Sequence, residues 1–163
     1  MGTLRVEPSP PRVTEALSLA ELDEIGLFGA LDESVIAALA ARLRVIKAEE
    51  GEVLYHEGDQ GRVMLVVLEG ELELSKICSD GTEQTMAILG PSDWCGEMSL
   101  LDVMARPVTA RATKPSRLLA IGPPDLDAIY RTNVKAYALL MMNIARQLSR
   151  KLRSANQRMS ERP

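Results

Sequence analysis

The 163-residue chain is poor in the side chains that most catalytic and metal centres need. It has one histidine, His56, so a multi-histidine metal centre is excluded and a catalytic histidine would have to be that residue. Its two cysteines, Cys78 and Cys95, are too few for a disulfide framework, and reduced thiols in a cytosolic protein are the simpler reading. Aromatic residues make up 3%, which offers few rings for a base-stacking platform and assigns the core to Leu, Val, Ile, Ala and Met. No uncharged apolar run approaches the ~20 residues that span a bilayer. Met1–Val13 has no apolar h-region and does not read as a signal peptide. Val6 stands where a myristoylation site starting at Gly2 wants Ser or Thr. A cytoplasmic protein that keeps off membranes is expected. No nucleophile–base pair is visible, so no catalytic residue, metal or enzymatic activity is assigned.

What is present suits one soluble globular domain: 46% of residues are hydrophobic and 26% charged. The formal net charge is −4, unevenly spread. Between Arg131 and Pro163 stand eight Lys/Arg and one acid, Glu161, which is +7; the remainder, with eleven basic and twenty-two acidic residues, is −11. Such a tail can touch nucleic acid or an acidic partner. Its basic residues are scattered along an amphipathic helix, however, and a solvated helix face is the preferred reading.

Periodicity divides the chain. Residues 1–13 are Pro-rich and expected to be disordered; residues 14–163 form the domain. Residues 14–47 read as helical, with Thr14 capping a first helix to about Leu22 and a second following Asp32. Gly26 and Gly29 mark a turn around Leu27 and Phe28. Over 48–121 glycines recur at hairpin intervals between short apolar or alternating runs: 63–68, 71–77, 84–89, 108–113 and 117–121. Strict alternation at Glu71-Leu72-Glu73-Leu74 predicts one buried and one wet face. Seven or eight such strands make a β-roll or jelly-roll sandwich. Residues 124–158 return to helix, Asp125 capping a short one through Tyr130 and a long one starting near Val134. Val134, Ala138, Met141, Ala145, Leu148 and Leu152 follow a 4-3-4-3-4 spacing, so this helix is expected to pack on the sandwich and also on a second copy. The fold class is α+β: a β-roll flanked by N-terminal helices and a long C-terminal helix.

The segment that carries chemistry is Gly96-Glu97-Met98-Ser99-Leu100-Leu101-Asp102, followed by Arg106-Pro107-Val108-Thr109-Ala110-Arg111-Ala112. Glu97–Leu101 is long enough for one helical turn, whose first N–H groups have no internal partner and attract an anion. Gly96 lets a ligand approach the backbone. Glu97 suits a sugar hydroxyl, and Arg106 suits phosphate oxygens. Together they describe a sugar-phosphate pocket, although Glu97 and Arg106 are equally able to pair with each other.

This stretch resembles the phosphate-binding cassette of the cyclic nucleotide-binding domain family, Phe-Gly-Glu-x-(Ala/Ser)-Leu-Leu followed by Arg-(Ser/Thr/Ala)-Ala-Thr-Val-x-Ala. Leu27-Phe28-Gly29, Gly51 to Asp59, Val66-Val67-Leu68-Glu69-Gly70, Asp80-Gly81 and Leu89-Gly90-Pro91 also fall in place, and the similarity covers residues 25–155. The resemblance implies that Glu97 binds the ribose 2′-hydroxyl and Arg106 the cyclic phosphate. Gly96, Met98 and Ser99 would add main-chain contacts beside Pro107 and Val108, and the C-terminal helix would cover the base. The ligand is a cyclic nucleotide, cAMP in preference to cGMP because the hydroxyl that favours guanine is absent; no other cofactor is implied. Three positions depart from the pattern. Pro107 withdraws one N–H from the phosphate shell, which weakens binding by about 1.5–3 kcal/mol, or ~10- to 150-fold. Cys95 replaces Phe, and Ser92 replaces a turn glycine.

Two functions follow. One is a sensor in which ligand binding moves the C-terminal helix and engages an unidentified protein partner. The other is a protein–protein interaction or dimerisation module with a degenerate pocket. A metal-dependent cupin lacks its histidines. The chain ends soon after Leu152, which leaves no room for a helix-turn-helix, so a stand-alone domain without DNA binding is expected.

Overall fold

The computed structural model describes residues 16–161. The Pro-rich stretch 1–13 and Thr14, the expected first cap, lie outside the described residues. Helix α1 (Leu19–Asp23) is capped by Ser18, whose side chain accepts from the Glu21 amide while the Glu21 carboxylate accepts from the Ser18 amide. A 3-10 turn (Gly26–Phe28) buries Leu27 and Phe28, and α2 (Glu33–Arg42) buries Ile36 and Leu39.

One expectation is corrected here. Helix does not continue to residue 47: α2 stops at Arg42, Leu43 is extended, and Arg44–Ala48 is strand β1. Val45 and Ile46 are β-branched and favour a pleated surface. Val45 and Ala48 are buried, and β1 pairs antiparallel with β8 (Ser116–Ile121) from Arg44↔Ala120 to Ala48↔Ser116. The remaining strands are β2 (Val53–Tyr55), β3 (Met64–Glu69), β4 (Leu72–Ile77), β5 (Glu83–Leu89), β6 (Trp94–Cys95) and β7 (Thr109–Ala112). They form two four-stranded antiparallel sheets, ordered β1-β8-β3-β6 and β2-β7-β4-β5.

The two sheets differ in burial, and the sequence pattern follows. The first is covered on both faces. Val45, Met64, Val66, Leu119 and Ile121 meet the helices, whereas Leu65, Val67, Leu118 and Ala120 meet the other sheet. Its central strands therefore read as continuous apolar runs. The second sheet is covered on one face. Leu72, Leu74, Ala110 and Ala112 point inward, and the less buried Glu71 and Glu73 alternate with the two leucines as the Glu71–Leu74 pattern predicts; beyond it Ser75 is buried as well.

Helix α4 spans Pro123–Thr132 and α5 spans Val134–Ser160. Asp125 is not the cap of α4. Gly122 occupies that position, and Asp125 sits in the first turn, where its carboxylate accepts from the Gly122 amide at 2.9 Å. Helix α5 packs on its own domain through Ala136, Leu140 and Ile144, a four-residue ladder offset from the expected heptad seam. Burying Leu140 and Ile144 contributes roughly 1.5–3 kcal/mol each. Asn143 Nδ2 ties α5 to the 3-10 turn by donating to the Leu27 and Gly29 carbonyls at 3.0 and 3.1 Å. Of the seam residues, Met141 and Leu148 join this packing, while Val134, Ala138, Ala145 and Leu152 are exposed. No helix among the described residues is long and apolar enough to cross a membrane.

Candidate functional site

The cassette begins where β6 leaves the first sheet. Gly96 caps helix α3 (Glu97–Asp102) with φ +84°, in the left-handed region. A Cβ there would lie 2.8 Å from Arg106 Nη1 and 2.9 Å from the Val63 carbonyl. Glycine is required by both the turn and the close approach. Helix α3 starts at Glu97, so the amides of Glu97, Met98 and Ser99 have no partner within the helix.

Arg106 arrives from the other side. Its backbone is clamped to the β2–β3 loop: its amide donates to the Asp59 carbonyl at 2.9 Å and its carbonyl accepts from the Gly58 amide at 2.8 Å. Its guanidinium donates to the carbonyls of Val63 (2.7 Å) and Gly96 (3.4 Å) and lies over the Tyr55 ring, 4.1 Å from the centroid. Arg106 is 5% exposed and has no carboxylate partner among the described residues. Its Nε has no hydrogen-bond partner. Beside it, burial pushes the Cys95 thiol up to about 11 and raises the Tyr55 hydroxyl well above its ordinary range, so both groups stay neutral.

Glu97 does not pair with Arg106. Its buried carboxylate accepts instead from Lys151 Nζ on α5, at 2.6 Å, and the same ammonium lies 3.4 Å from the Trp94 carbonyl. The structure thus brings Gly96, Glu97 and Arg106 to one place, with the acid neutralised and the cation not. Ser99 is buried on α3 with its hydroxyl unpartnered, and Met98 is exposed. The Pro107 carbonyl accepts from Lys76 Nζ (3.0 Å), which is held by Glu57 (2.9 Å), and Val108 packs against the sandwich core. His56 sits on the surface, its amide bonded to Asp59 Oδ2.

Buried polar atoms without a partner are uncommon and each needs an explanation. The four recorded among the described residues are Trp94 Nε1, Ser99 Oγ, Arg106 Nε and Gln147 Oε1. Three belong to the cassette and its entry strand. Gln147 stands one turn before Lys151 on α5. A cleft of about 400 Å³ opens behind α3 rather than at Glu97, lined by Leu100, Leu101, Leu126, Tyr130 and Tyr137 among others.

Lys151 and Tyr55 escaped the sequence reading. Lys151 lies within a basic run that reads as a wet face, and no local pattern singles it out. Tyr55 had one signal, being a rare ring in an aromatic-poor chain.

Comparison with known proteins follows the same outline. Residues 45–133 match the family model of the cyclic nucleotide-binding domain. The chain is 30% identical, over 144 residues, to the CRP-like cAMP-activated global transcriptional regulator of Mycobacterium tuberculosis, covering 86% of this chain and 62% of that one. The crystal structure of Thermus thermophilus catabolite activator protein superposes with TM-score 0.74 at 30% identity, over 83% of this chain and 62% of that one. The regulatory domain of Toxoplasma gondii PKA, crystallised with cAMP, gives 0.62 at 32% identity, over 68% and 42%. The chain spans about three fifths of the length of the two bacterial regulators.

Proposed function

The chain belongs to the cyclic nucleotide-binding domain family, and on that footing we propose that it is a cytoplasmic sensor of a cyclic nucleotide, cAMP in preference to cGMP. Arg106 takes the cyclic phosphate, Glu97 takes the ribose 2′-hydroxyl, and the amides of the α3 turn complete the shell with Gly96, Met98 and Ser99. The observation that carries this reading is Arg106: a residue 5% exposed, whose guanidinium meets two carbonyls and a ring face and has no carboxylate partner among the described residues. Burying an unpaired charge is expensive, and a phosphate supplies the missing counter-charge in bidentate geometry. Ligand binding is transmitted to α5, which already touches the cassette through Lys151, and from α5 to a protein partner. No catalytic step is assigned.

A second reading keeps the fold and drops the ligand. Pro107 lacks the amide that would complete the phosphate shell, and Val134 and Leu152 leave 61% and 62% of their surface exposed on α5. These features suit an interaction module that contacts a partner or a second copy.

Calorimetric titration with cAMP and cGMP decides between them. The sensor reading expects saturable binding, tighter for cAMP, and a thermal midpoint that rises with nucleotide. Absence of binding by either nucleotide at millimolar concentration returns the interaction module.

A further inference from the structure

Glu97 and Lys151 are 54 residues apart and meet at 2.6 Å across the mouth of the cassette. The acid is fixed and buried, its side chain 3% exposed; the ammonium reaches in from a side chain still 41% exposed. Beyond Leu148 the helix is nearly all exposed, apart from Lys151 and Ala155. The Lys151 bonds to Glu97 and to the Trp94 carbonyl therefore fasten a long, otherwise loosely held end of α5 to the cassette.

We propose that Lys151 sets the ligand threshold of this site by acting as a built-in competitor for the Glu97 carboxylate. The inference rests on the nucleotide-binding reading above. An ammonium adds the attraction of a full opposite charge to its hydrogen bond with a carboxylate, which a neutral hydroxyl does not. A ribose 2′-hydroxyl thus gains Glu97 only as the ammonium gives it up. Lys151 is able to leave because its stem already borders water, whereas Glu97 has no exit. Once released, Lys151 no longer fixes the end of α5 in this position, and ligand occupancy is read out as movement of the helix over the site. The apparent affinity falls by the fraction of molecules in which the lysine is disengaged.

The test compares the wild-type chain with K151M and K151R, titrated with cAMP and with 2′-deoxy-cAMP. Removing the competitor in K151M is expected to tighten cAMP binding about 10-fold. 2′-Deoxy-cAMP should gain less, so that preference for the ribose hydroxyl widens. K151R keeps a cationic competitor and is expected to return to wild-type affinity. Amide exchange over residues 150–158 should be faster in K151M than in the wild-type chain without ligand, and the two chains should converge when cAMP is added. Thermal melts establish that each variant folds; K151Q serves if K151M does not. K151M binding cAMP no better than the wild-type chain, or K151R binding as tightly as K151M, overturns the competitor role alone. Folded wild-type and K151M proteins that both fail to bind cAMP overturn the nucleotide reading, and the competitor with it.

Discussion

Glu97 and Arg106 are nine positions apart, almost equally buried and opposite in charge, yet the fold treats them differently. Glu97 has a cationic partner brought from a distant helix. Arg106 has only carbonyl dipoles and the face of Tyr55. A stabilising ion pair between the two was available to the sequence, and the fold does not make it. Gly96 turns the backbone immediately ahead of Glu97, and Arg106 is drawn toward Val63 and Tyr55 while Glu97 meets Lys151 of α5. The difference separates a carboxylate whose charge is met within the fold from a guanidinium with no carboxylate partner among the described residues.

The strongest way to break this contrast is to remove the guanidinium. Arg106→Ala is expected to weaken cAMP binding by at least ~100-fold, since a charge-assisted bidentate contact to phosphate is lost. The ligand-free thermal midpoint should move by only a few degrees, because the deleted side chain is a buried, unpaired cation. Calorimetry and melting measure the two effects separately. Undiminished binding by the variant would falsify the assignment of the phosphate to Arg106.

Glu97→Gln sharpens the other half with a smaller effect. The amide cannot accept as a charged group does, so cAMP affinity should fall by about 10-fold through loss of a hydrogen bond to an ionised partner. The informative comparison is with 2′-deoxy-cAMP: the variant should discriminate between the two nucleotides less than the wild-type chain does, because the amide oxygen still accepts but without charge. A variant that keeps the full wild-type preference for the ribose form would mean that another group reads the hydroxyl.

How far such a site can be read from sequence depends on how local its causes are. The cassette segment stands out because its parts are close in the chain: a glycine, an acid and an arginine at fixed spacing. The residues alone leave a sugar-phosphate pocket and a Glu97–Arg106 pair equally open, and it is the resemblance to a family pattern that favours the first. The β-roll was legible for a related reason, since alternation and turn glycines are local consequences of one-sided burial. Strand β1 was not, because Arg44-Val45-Ile46-Lys47-Ala48 follows a helix without a turn residue between them, and only pairing with β8 settles its conformation. The buried face of α5 was missed for the same kind of reason. The heptad seam and the Ala136–Leu140–Ile144 ladder are both apolar, and the choice between them is made by the helices and sheet already in place. Lys151 is the extreme case, a basic residue among basic residues, distinguished only by the carboxylate opposite it in the fold.

Acid titration probes a different class of charge, the surface carboxylates with partners of their own. Glu57 is held below the usual carboxylate range by its hydrogen bond to Lys76 and then by the Ile77 amide, and Glu71 is lowered by Thr113 and Lys114. Glu21 is lowered by the Ser18 amide and then by Arg117. Their folded pKa values lie below the unfolded value of 4.5, so the stability they contribute is present above that pH and is lost as pH falls through the folded values. Melts between pH 7 and 3 should show a flat midpoint down to about pH 4.5 and a decline below it. Replacing Glu57 by Gln should flatten the decline. Because Lys76 also holds the Pro107 carbonyl, the same variant shows whether this strap supports Arg106.

The smallest effect concerns backbone strain just ahead of the cassette. Two residues four positions apart adopt left-handed backbone, Ser92 at φ +73° and Gly96 at φ +84°. At Gly96 glycine is obligatory, since a Cβ would press on Arg106 and the Val63 carbonyl. Ser92 occupies a turn in which its amide donates to the Val67 carbonyl (2.8 Å) and the Gly90 amide donates to Asp93 Oδ2 (2.9 Å), and these bonds hold a serine in a conformation it disfavours. A non-glycine residue in this region costs of order 1 kcal/mol. Ser92→Gly relieves that strain but adds unfolded-chain entropy, so a net gain of about 0.5 kcal/mol and a midpoint higher by ~1–2 °C are expected. Cyclic nucleotide affinity should not change, because the strain at Ser92 ends in the turn that carries it, whereas the conformation of Gly96 is part of how Arg106 is seated. A Ser92→Gly variant whose affinity moved with its stability would place both turns in one mechanical unit with the site.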